Sequence, residues 1–572
     1  MSWRNLFRVK TDFPVNQGDA SLKRVLGVRD LTFFGIAAII GAGIFSSIGD
    51  ACAKGGPASV YLIIICGVAC AFAALCYAEF ASRIPVSGSA YTYAYASFGE
   101  LFAWIIGWAL IMEYAIGNIY VAFSWSGYVV HLMDQLGWIL PRWMVTDYST
   151  AHEMYQTVMS KIQGAISGGE FGELWKSANL GSYSQANQDA FEAFANAPQL
   201  FGLHLVFDAP ALLINVLITM LVYRGIKESR NASNLMVILK LIAIVLVIVV
   251  GVGYIDVKNY TPFMPNGFEG VMQGVSALFF TYIGFDAVST LAEESKNPQR
   301  DLPRGMFYSL LICTVLYVFI TLVLTGMVPY DTLGVGDPLA YALGAHGIDW
   351  LEYIVSIVAV VAMASVLLVF QMGQPRIWLS MSRDGLLPPA FSRIHPKFST
   401  PSFATIITGL MVGVPILFTN EGFVLDFTSI GTIFAFVLVC GGVLLLPPRK
   451  EGEGKGFVMP FINGKYLYSI IIILSILTVR YNFPNYFIDL LESDWSTMFV
   501  VAHRLYWILL LGLSVMSFVR SWSLIPLLGL SICAYLLTGM EANNWYWFFG
   551  WFGIGLVVYF SYGYRKSKLA TN

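Results

Sequence analysis

Two glycines interrupt the first long apolar run of the chain, which reads GIAAIIGAGIFSSIG over residues 35–49. Glycine in a helix interior costs roughly 1 kcal/mol relative to alanine, so Gly41 and Gly43 need an explanation. We expect the helix to unwind here and to free backbone N–H groups at the start of the half-helix that follows. Free amides at the positive end of a helix dipole suit a carboxylate, and the missing side chains let that carboxylate approach the backbone.

A second apolar run, LFFTYIGFDAVST at residues 278–290, is interrupted in the same way at Gly284. Carbonyl groups freed near Phe280, Thr281 and Ile283 can accept hydrogen bonds from an ammonium group. The two breaks together can hold both charged ends of an α-amino acid. For the first break alone, close helix packing through small residues is the commoner explanation, but the pairing of the breaks favours a binding site. The residues predicted to contact the substrate are Ile39, Ala42, Gly43, Ile44, Phe280, Thr281, Ile283 and Met363.

Four charged side chains lie within or at the ends of apolar runs of the chain, where a charge is a functional candidate. Lys240, in NLMVILKLIAIVLVIVVG, lies about 14 Å from the helix end, and a buried lysine can exchange a proton near neutral pH. Glu113, in WALIMEYAIGN, is similarly deep. We assign both to proton coupling; a structural cation at Lys240 and a protonated, hydrogen-bonded carboxyl at Glu113 remain open. Asp286 is predicted to cap the second half of its helix, and Glu79 to pair with basic loop residues or to cap.

The composition places these runs in a membrane. Of 572 residues, 57% are hydrophobic and 12% are charged, and the mean hydropathy is +0.68. Soluble proteins carry about a quarter charged residues, and here the apolar residues fall in runs of about 20, the length of a membrane-spanning helix. The net charge of −2 indicates no nucleic-acid partner, no removable signal peptide is visible, and the seven cysteines show no metal-ligand spacing. We expect an all-α polytopic membrane protein with no metal and no cofactor, whose cysteines are small buried hydrophobes.

About fourteen membrane-spanning segments are predicted, numbered in chain order. They lie near 31–50, 57–82, 100–134, 209–223, 231–254, 267–290, 305–328, 350–381, 402–419, 425–447, 466–480, 498–519, 522–539 and 543–563. The glycine breaks fall in segments 1 and 6, which is the pattern of a transporter built from two inverted five-helix repeats. Broken helices must line a cavity, so both breaks should lie inside the protein near the midplane. The predicted domains are a tail (1–30), a ten-helix core (31–448) with a long loop (135–208), a linker (449–465) and C-terminal helices 11–14 with a tail (466–572).

Basic residues collect on one side of these segments. They lie in the tail and in RGIKESR (224–230), EESKNPQRDLPR (293–304), SRDGLLPPAFSRIHPK (382–397), PPRKEGEGK (447–455) and YRKSK (564–568). The opposite loops are acidic or neutral. By the positive-inside rule the basic side is cytoplasmic, which places both termini inside and the protein in the plasma or inner cell membrane. The stretch 293–304 is an ordinary cytoplasmic loop or part of an inner gate.

Four long motifs occur in order along the chain. They are GIAAIIGAGIF, IPVSGSAYTYAY (84–95), GFDAVSTLAEESKNPQRDLPRG (284–305) and GQPRIWLSMSRDGLLPPAFSRIHPKFSTP (373–401). Together they resemble the amino acid–polyamine–organocation superfamily and, within it, the bacterial branch of the cationic amino acid transporter family. The resemblance covers about residues 20–450 and the last two segments. It implies a leucine-transporter-type fold with extra C-terminal helices, in which Lys240 takes the place that sodium fills in sodium-coupled members. The loop 135–208 is longer than this resemblance leads us to expect.

The breaks and the resemblance predict a secondary active transporter that imports amino acids with protons by alternating access. No HExxH motif, paired intramembrane Asp or Ser/His set indicates an enzyme, and no repeated filter indicates a channel. Met363, in VVAMASVLLVF, is the predicted wall of the substrate's side-chain pocket and offers no anion to a guanidinium. We therefore expect small neutral amino acids rather than cationic ones such as arginine and lysine. A cationic carrier, an amino acid exchanger, a sensor without transport, and a small accessory membrane subunit stay open.

Overall fold

The chain is folded mainly into helices. A computed structural model describes residues 8–10, 26–84, 86, 88–168, 185–224, 229–398, 400–446, 456–492, 498–540 and 542–570. The predicted basic stretches at 225–228 and 447–455, most of the tail 1–25 and part of the long loop, 169–184, lie outside the described residues.

Helices occur at each predicted segment. They are Val28–Ile39 and Gly43–Ser47 continuing as Ile48–Gly55 (helix 1), Ser59–Arg83 (2), Glu100–Gln135 (3), Ala209–Arg224 (4), Ser229–Gly251 (5), Gly267–Gln273, Val275–Phe280 and Phe285–Glu294 (6), Pro298–Met327 (7), Asp349–Arg383 (8), Ser402–Ile416 (9), Glu421–Leu445 (10), Gly464–Asn482 (11), Met498–Arg520 (12), Leu524–Thr538 (13) and Ala542–Val558 (14). The largest disagreement is at helix 7, which begins at Pro298 rather than near residue 305. Proline favours the first helical position, a start signal that the polar sequence around it hides from a hydropathy pattern.

The number of membrane crossings is smaller when it is counted from length and composition. In the described residues, eight helices are long and apolar enough to span a membrane, or ten if each bent pair is one span. Helix 1 continues into helix 2 through a turn at Gly56–Ala58, so the two count as one stretch, Gly43–Arg83. Helices 4 and 9 have only 16 and 15 residues. The membrane location and the helical fold class are confirmed, whereas the number fourteen stays a prediction.

The core helices pack in two groups. Helix 7 lies along helices 1 and 2 in the first group, and helix 3 lies along helices 8 and 10 in the second. Helices 5 and 6 contact members of both groups, and helix 13 packs on helices 2 and 10. Apolar side chains fill these contacts, and all seven cysteines are free and buried among them, as predicted. The two groups therefore meet around the broken helices 1 and 6.

Both ends of the described chain lie on one side of the protein, which we call the basic face. Lys10 forms an ion pair with Asp384 at 2.6 Å, and the backbone of Lys568 donates to Asp384 O at 3.1 Å. Arg83, at the end of helix 2, lies on the same face and contacts Glu79. The opposite side, which carries the loop 137–208 and the loop between helices 7 and 8, we call the acidic face. The termini share a face, as the charge pattern predicts.

The described parts of the loop, 137–168 and 185–208, form a small cap on the acidic face. They include a short 3-10 helix at Arg142–Met144, the helices Tyr148–Gly168 and Gln185–Ala195, and a two-stranded ribbon that pairs Gln199–Leu200 with Leu203–His204. The cap has a small apolar core of its own, consisting of Ala151, Ala193, Phe194, Ala197 and Val206. At its base Asp208 accepts hydrogen bonds from Ser126 Oγ at 2.6 Å and from Ala211 N at 2.9 Å, which ties the cap to helix 3 and begins helix 4.

Asp208 is expected to make the stability of the acidic face depend on pH. Burial raises the pKa of Asp208 from 3.8 to about 7. A carboxyl whose pKa is raised by folding stabilises the folded state fully below about pH 4, and this contribution is lost as the pH rises through about 7. Each pH unit in this window is worth up to about 1.4 kcal/mol.

Asp208→Asn keeps an oxygen that accepts both hydrogen bonds but cannot ionise. The thermal unfolding midpoint of this variant in detergent should therefore fall less between about pH 4 and pH 8 than that of the wild type. Asp331→Asn changes an exposed acidic residue of the same face and should keep the wild-type pH dependence. An Asp208→Asn protein that loses as much stability as the wild type over this range would contradict the prediction.

Candidate functional site

The first break lies between Ile39, which ends the first half of helix 1, and Gly43, which begins the second half. Ile40 is extended, with φ −81° and ψ 99°, so the helical hydrogen-bond ladder stops there. Within the described residues, the N–H groups of Gly41 and Ala42 donate no hydrogen bond. Two buried backbone donors are thus open at the start of a half-helix, which is the arrangement that binds an anion.

The second break runs from Thr281 to Gly284 in helix 6. Gly284 has φ +114°, a backbone conformation that side chains rarely adopt, and a Cβ there would lie 2.7 Å from Cβ of Ala38 in helix 1. Gly43 approaches the same break from the other side, because a Cβ on it would lie 2.6 Å from Cα of Thr281. The glycines thus let the two broken helices touch at their breaks.

Helix 8 forms a wall against the first break. A Cβ on Gly41 would overlap Cγ2 of Val366 in helix 8. Met363 lies one turn earlier on the same face of that helix and is fully buried. From helix 6, the ring of Phe280 contacts the ring of Tyr120 in helix 3 edge-on, with 4.5 Å between centroids. Side chains from three helices therefore surround the breaks.

The other predicted contact residues are also buried: Ile39, Ala42, Ile44, Thr281 and Ile283. The Thr281 hydroxyl donates to Leu278 O of its own helix at 2.6 Å. The hydroxyl group of Thr281 is therefore hydrogen-bonded within its own helix, at the C-terminal end of that helix.

Lys240 satisfies carbonyl groups that the first break frees. Its Nζ donates to Ala37 O at 3.0 Å and to Ile40 O at 2.6 Å. It also donates to Ser365 Oγ of helix 8 at 3.1 Å, and the whole side chain is buried. One ammonium group therefore joins helices 1, 5 and 8 at the break.

Two side chains of this arrangement were not predicted from the sequence. The Tyr317 hydroxyl, from helix 7, donates to Ile39 O at 3.0 Å, and Ser365 receives the third hydrogen bond of Lys240. Tyr317 lies in the run LYVFIT, which also contains Thr321, and Ser365 is the one polar residue of the run MASVLL. That signal is weak, because such residues often bond only to their own helix.

Glu113 and Asp286 are fully buried in the core. Neither carboxyl oxygen of Glu113 makes a hydrogen bond of ordinary length and angle among the described residues, although the Thr432 hydroxyl of helix 10 lies beside it. Oδ2 of Asp286 accepts a hydrogen bond from Tyr114 OH at 3.2 Å, whereas Oδ1 has no partner in the same part of the chain. The prediction that Asp286 caps helix 6 is wrong: Gly284 holds the capping position, and its positive φ turns the chain into the helix without a side-chain hydrogen bond.

Besides Asp384, the acidic residues Glu79 and Glu294 form ion pairs at the basic face. Glu79 contacts Arg83 Nε at 2.8 Å and accepts a hydrogen bond from Met459 N of the linker at 2.9 Å. Glu294, at the end of helix 6, contacts Arg376 Nη2 of helix 8 at 2.7 Å. Glu294 lies in the stretch 293–304, and its ion pair joins helix 6 to helix 8 below the breaks.

Comparison with known proteins gives one family. The family model described as amino acid permease matches residues 26–513. The chain is 39% identical over 444 residues to the branched-chain amino acid permease BcaP of Bacillus subtilis, which covers 77% of this chain and 85% of that protein. It is 33% identical over 550 residues to the methylthioribose transporter of the same organism, covering 96% and 95% of the two chains. It is 34% identical over 441 residues to cationic amino acid transporter 4, vacuolar, of Arabidopsis thaliana, covering 75% of this chain and 64% of that protein.

These matches agree with the paired breaks in helices 1 and 6 and with the leucine-transporter-type fold that the motifs imply. They also place the chain among permeases rather than enzymes. The chain belongs to the amino acid permease family of the amino acid–polyamine–organocation superfamily.

Proposed function

We propose that the protein is a proton-coupled secondary active transporter that imports small neutral amino acids by alternating access. The observation that carries this proposal is the meeting of two broken helices, in which Gly43 lies against Thr281 and the N–H groups of Gly41 and Ala42 are open. The α-carboxylate of the substrate binds these amides, and its ammonium group binds carbonyl oxygens of the break at Thr281–Gly284. Both charged ends of an amino acid are then held by backbone alone.

The side chain of the substrate lies towards Met363 on helix 8. A thioether fills space without offering a charge, which favours neutral side chains. The relative BcaP, named as a branched-chain amino acid permease, supports the same class. A cationic substrate is the second candidate, because Glu113 and Asp286 keep three carboxyl oxygens that make no hydrogen bond of ordinary length and angle among the described residues. The relatives named as cationic amino acid transporters support that candidate.

Met363→Ser is expected to admit longer side chains. Removing a buried thioether leaves space in the pocket wall, and one methylene group in such a pocket changes discrimination by about tenfold or more. The ratio of arginine uptake to alanine uptake should therefore rise about tenfold. Met306→Ser, which changes a buried methionine of helix 7, is the matched control and should keep the wild-type ratio. An unchanged ratio in Met363→Ser would remove this residue from the wall.

Proton coupling is assigned to Lys240, with Glu113 as the second candidate group. When protonated, Lys240 holds Ala37 O and Ile40 O of helix 1 together with Ser365 of helix 8. Loss of the proton weakens these contacts and releases helix 1, so the two states of the carrier bind the proton with different affinity. The ammonium group of Lys240 occupies the position that a sodium ion would fill, so transport should not depend on sodium.

The basic face is proposed to be cytoplasmic, in the plasma or inner cell membrane, by the positive-inside rule. Both described ends of the chain then lie inside the cell, and the cap 137–208 lies outside. Substrate enters from the acidic face and leaves at the basic face, past the ion pair of Glu294 and Arg376.

Uptake by purified protein in liposomes tests this function. Labelled L-alanine should accumulate when an inward proton gradient is imposed and should ignore a sodium gradient. Competition by the common amino acids and by methylthioribose identifies the substrate class. Binding without uptake would indicate a sensor. Uptake that occurs only when the liposomes already contain an amino acid would indicate an exchanger. Accumulation driven by a sodium gradient would contradict the proposed proton coupling.

A further inference from the structure

A carboxylate at the acidic face joins three helices close to the breaks. Glu421 is the first residue of helix 10, and its Oε1 accepts hydrogen bonds from Ser124 Oγ of helix 3 at 2.7 Å and from Ser46 Oγ of helix 1 at 3.4 Å. Ser46 also receives a hydrogen bond from Tyr120 OH of helix 3, at 3.5 Å. We call these four residues the acidic-side junction.

The junction lies directly above the candidate substrate site. Ser46 follows Gly43 by three residues, or about 5 Å along a helix. The ring of Tyr120 packs on Phe280 of the second break with 4.5 Å between centroids. Any movement of Ser46 therefore moves the half-helix whose first amides are proposed to bind the carboxylate.

The junction crosses the boundary between the two helix groups. Ser124 and Glu421 belong to helices 3 and 10, which pack together in the second group, and their hydrogen bond is the short one. Ser46 belongs to helix 1 of the first group, and its contacts with the junction are long. Separation of the groups on this face must break the contacts of Ser46 and can leave the Ser124–Glu421 bond intact.

We propose that Glu421 is a positioning residue for transport, which closes the acidic-side entrance by fixing Ser46 over a bound amino acid. It acts through Ser46 and does not touch the substrate. This inference rests on the proposed function, because it needs helix 1 to hold the carboxylate.

A double-mutant cycle between Glu421 and Ser46 tests the proposal. Glu421→Ala removes the acceptor that fixes Ser46, so it should lower the maximal rate of L-alanine uptake in liposomes about tenfold. The dissociation constant for L-alanine in detergent should stay within about twofold, because the substrate is not touched. Ser46→Ala should act alike, and the double variant should be no slower than Glu421→Ala.

Two conservative variants separate positioning from general damage. Glu421→Gln keeps an oxygen that accepts from both hydroxyl groups and should retain most of the uptake rate, and Ser46→Thr keeps the hydroxyl group and should do the same. Glu269→Ala, an exposed residue of the same face, is the control and should behave as the wild type. Should Glu421→Ala fail to fold, the comparison of Ser46→Ala with Ser46→Thr carries the test.

Three results would overturn the proposal: wild-type uptake in both Glu421→Ala and Ser46→Ala, additive losses in the double variant, or loss of L-alanine binding in folded Glu421→Ala. The last would place Glu421 in the substrate site itself. A wild-type protein that neither binds nor carries L-alanine would instead refute the proposed function and, with it, this inference.

Discussion

Lys240→Ala should abolish proton-driven accumulation of substrate while leaving a protein that still exchanges it. The ammonium of Lys240 holds Ala37 O, Ile40 O and Ser365 Oγ, and it is fully buried. Removing it leaves two freed carbonyl groups of helix 1 without their donor and removes the group that is proposed to exchange the proton. The ratio of internal to external alanine should therefore fall to about 1, since a proton gradient then acts on neither state of the carrier.

Two further variants show whether charge or titration matters at this position. Lys240→Arg keeps a permanent charge that does not release its proton, so we expect substrate binding without net accumulation. Lys240→Met keeps much of the volume and removes the charge, and it should resemble Lys240→Ala with less loss of thermal stability. All are compared in liposomes under an imposed pH gradient and, separately, an imposed sodium gradient. A Lys240→Ala protein that still concentrates alanine would defeat this coupling mechanism.

The position of the breaks could be predicted because glycine marks it. Glycine is unfavourable inside an apolar helix unless the backbone bends there or another element comes close. At Gly284 the backbone turns with a positive φ and helix 1 comes close, and at Gly43 helix 6 comes close. Lys240 could be predicted as a candidate for the same kind of reason, since a charge in such a run is costly. The site could thus be located mainly from residues that are unfavourable inside an apolar helix.

The partners of these residues could not be predicted. Tyr317 is 278 positions from Ile39, and Ser365 is 125 positions from Lys240, so no local pattern links them. Glu421 lies outside the predicted segment 10 (425–447) and was not predicted, because a carboxylate beside a loop is ordinary in a sequence. The capping role predicted for Asp286 failed for a local reason, because Gly284 occupies the N-cap position and Asp286 lies two residues beyond it.

Three sets of contacts join the broken helices 1 and 6 to the second helix group at three depths. The acidic-side junction joins Glu421 to Ser46, Lys240 joins helices 1 and 8 at the breaks, and Arg376 joins helix 8 to Glu294 at the basic face. All three are present together, and the residues of the candidate substrate site between them are buried. The proposed alternating-access mechanism then requires that the outer and the inner contacts break in turn.

The inner ion pair is the contact whose loss should have the second-largest effect. Glu294 and Arg376 are both largely buried, and Arg376 also donates to Met372 O of its own helix at 2.7 Å. Removing one partner of a buried pair costs about 3–5 kcal/mol in the state that contains it. Arg376→Ala should therefore destabilise the state closed at the basic face and leave the carrier open on that side, with uptake reduced by about a hundredfold or more.

A charge exchange separates this role from general destabilisation. Glu294→Arg combined with Arg376→Glu re-forms an ion pair and should recover part of the uptake that each single variant loses. Arg393→Ala, an exposed basic residue of the same face, should transport as the wild type does. Uptake and efflux of labelled alanine are measured on both sides of the liposome membrane, because a carrier held open at the basic face loses uptake first. If the exchanged pair transports no better than either single variant, the ion pair is structural and the inner contact must be sought elsewhere on the basic face.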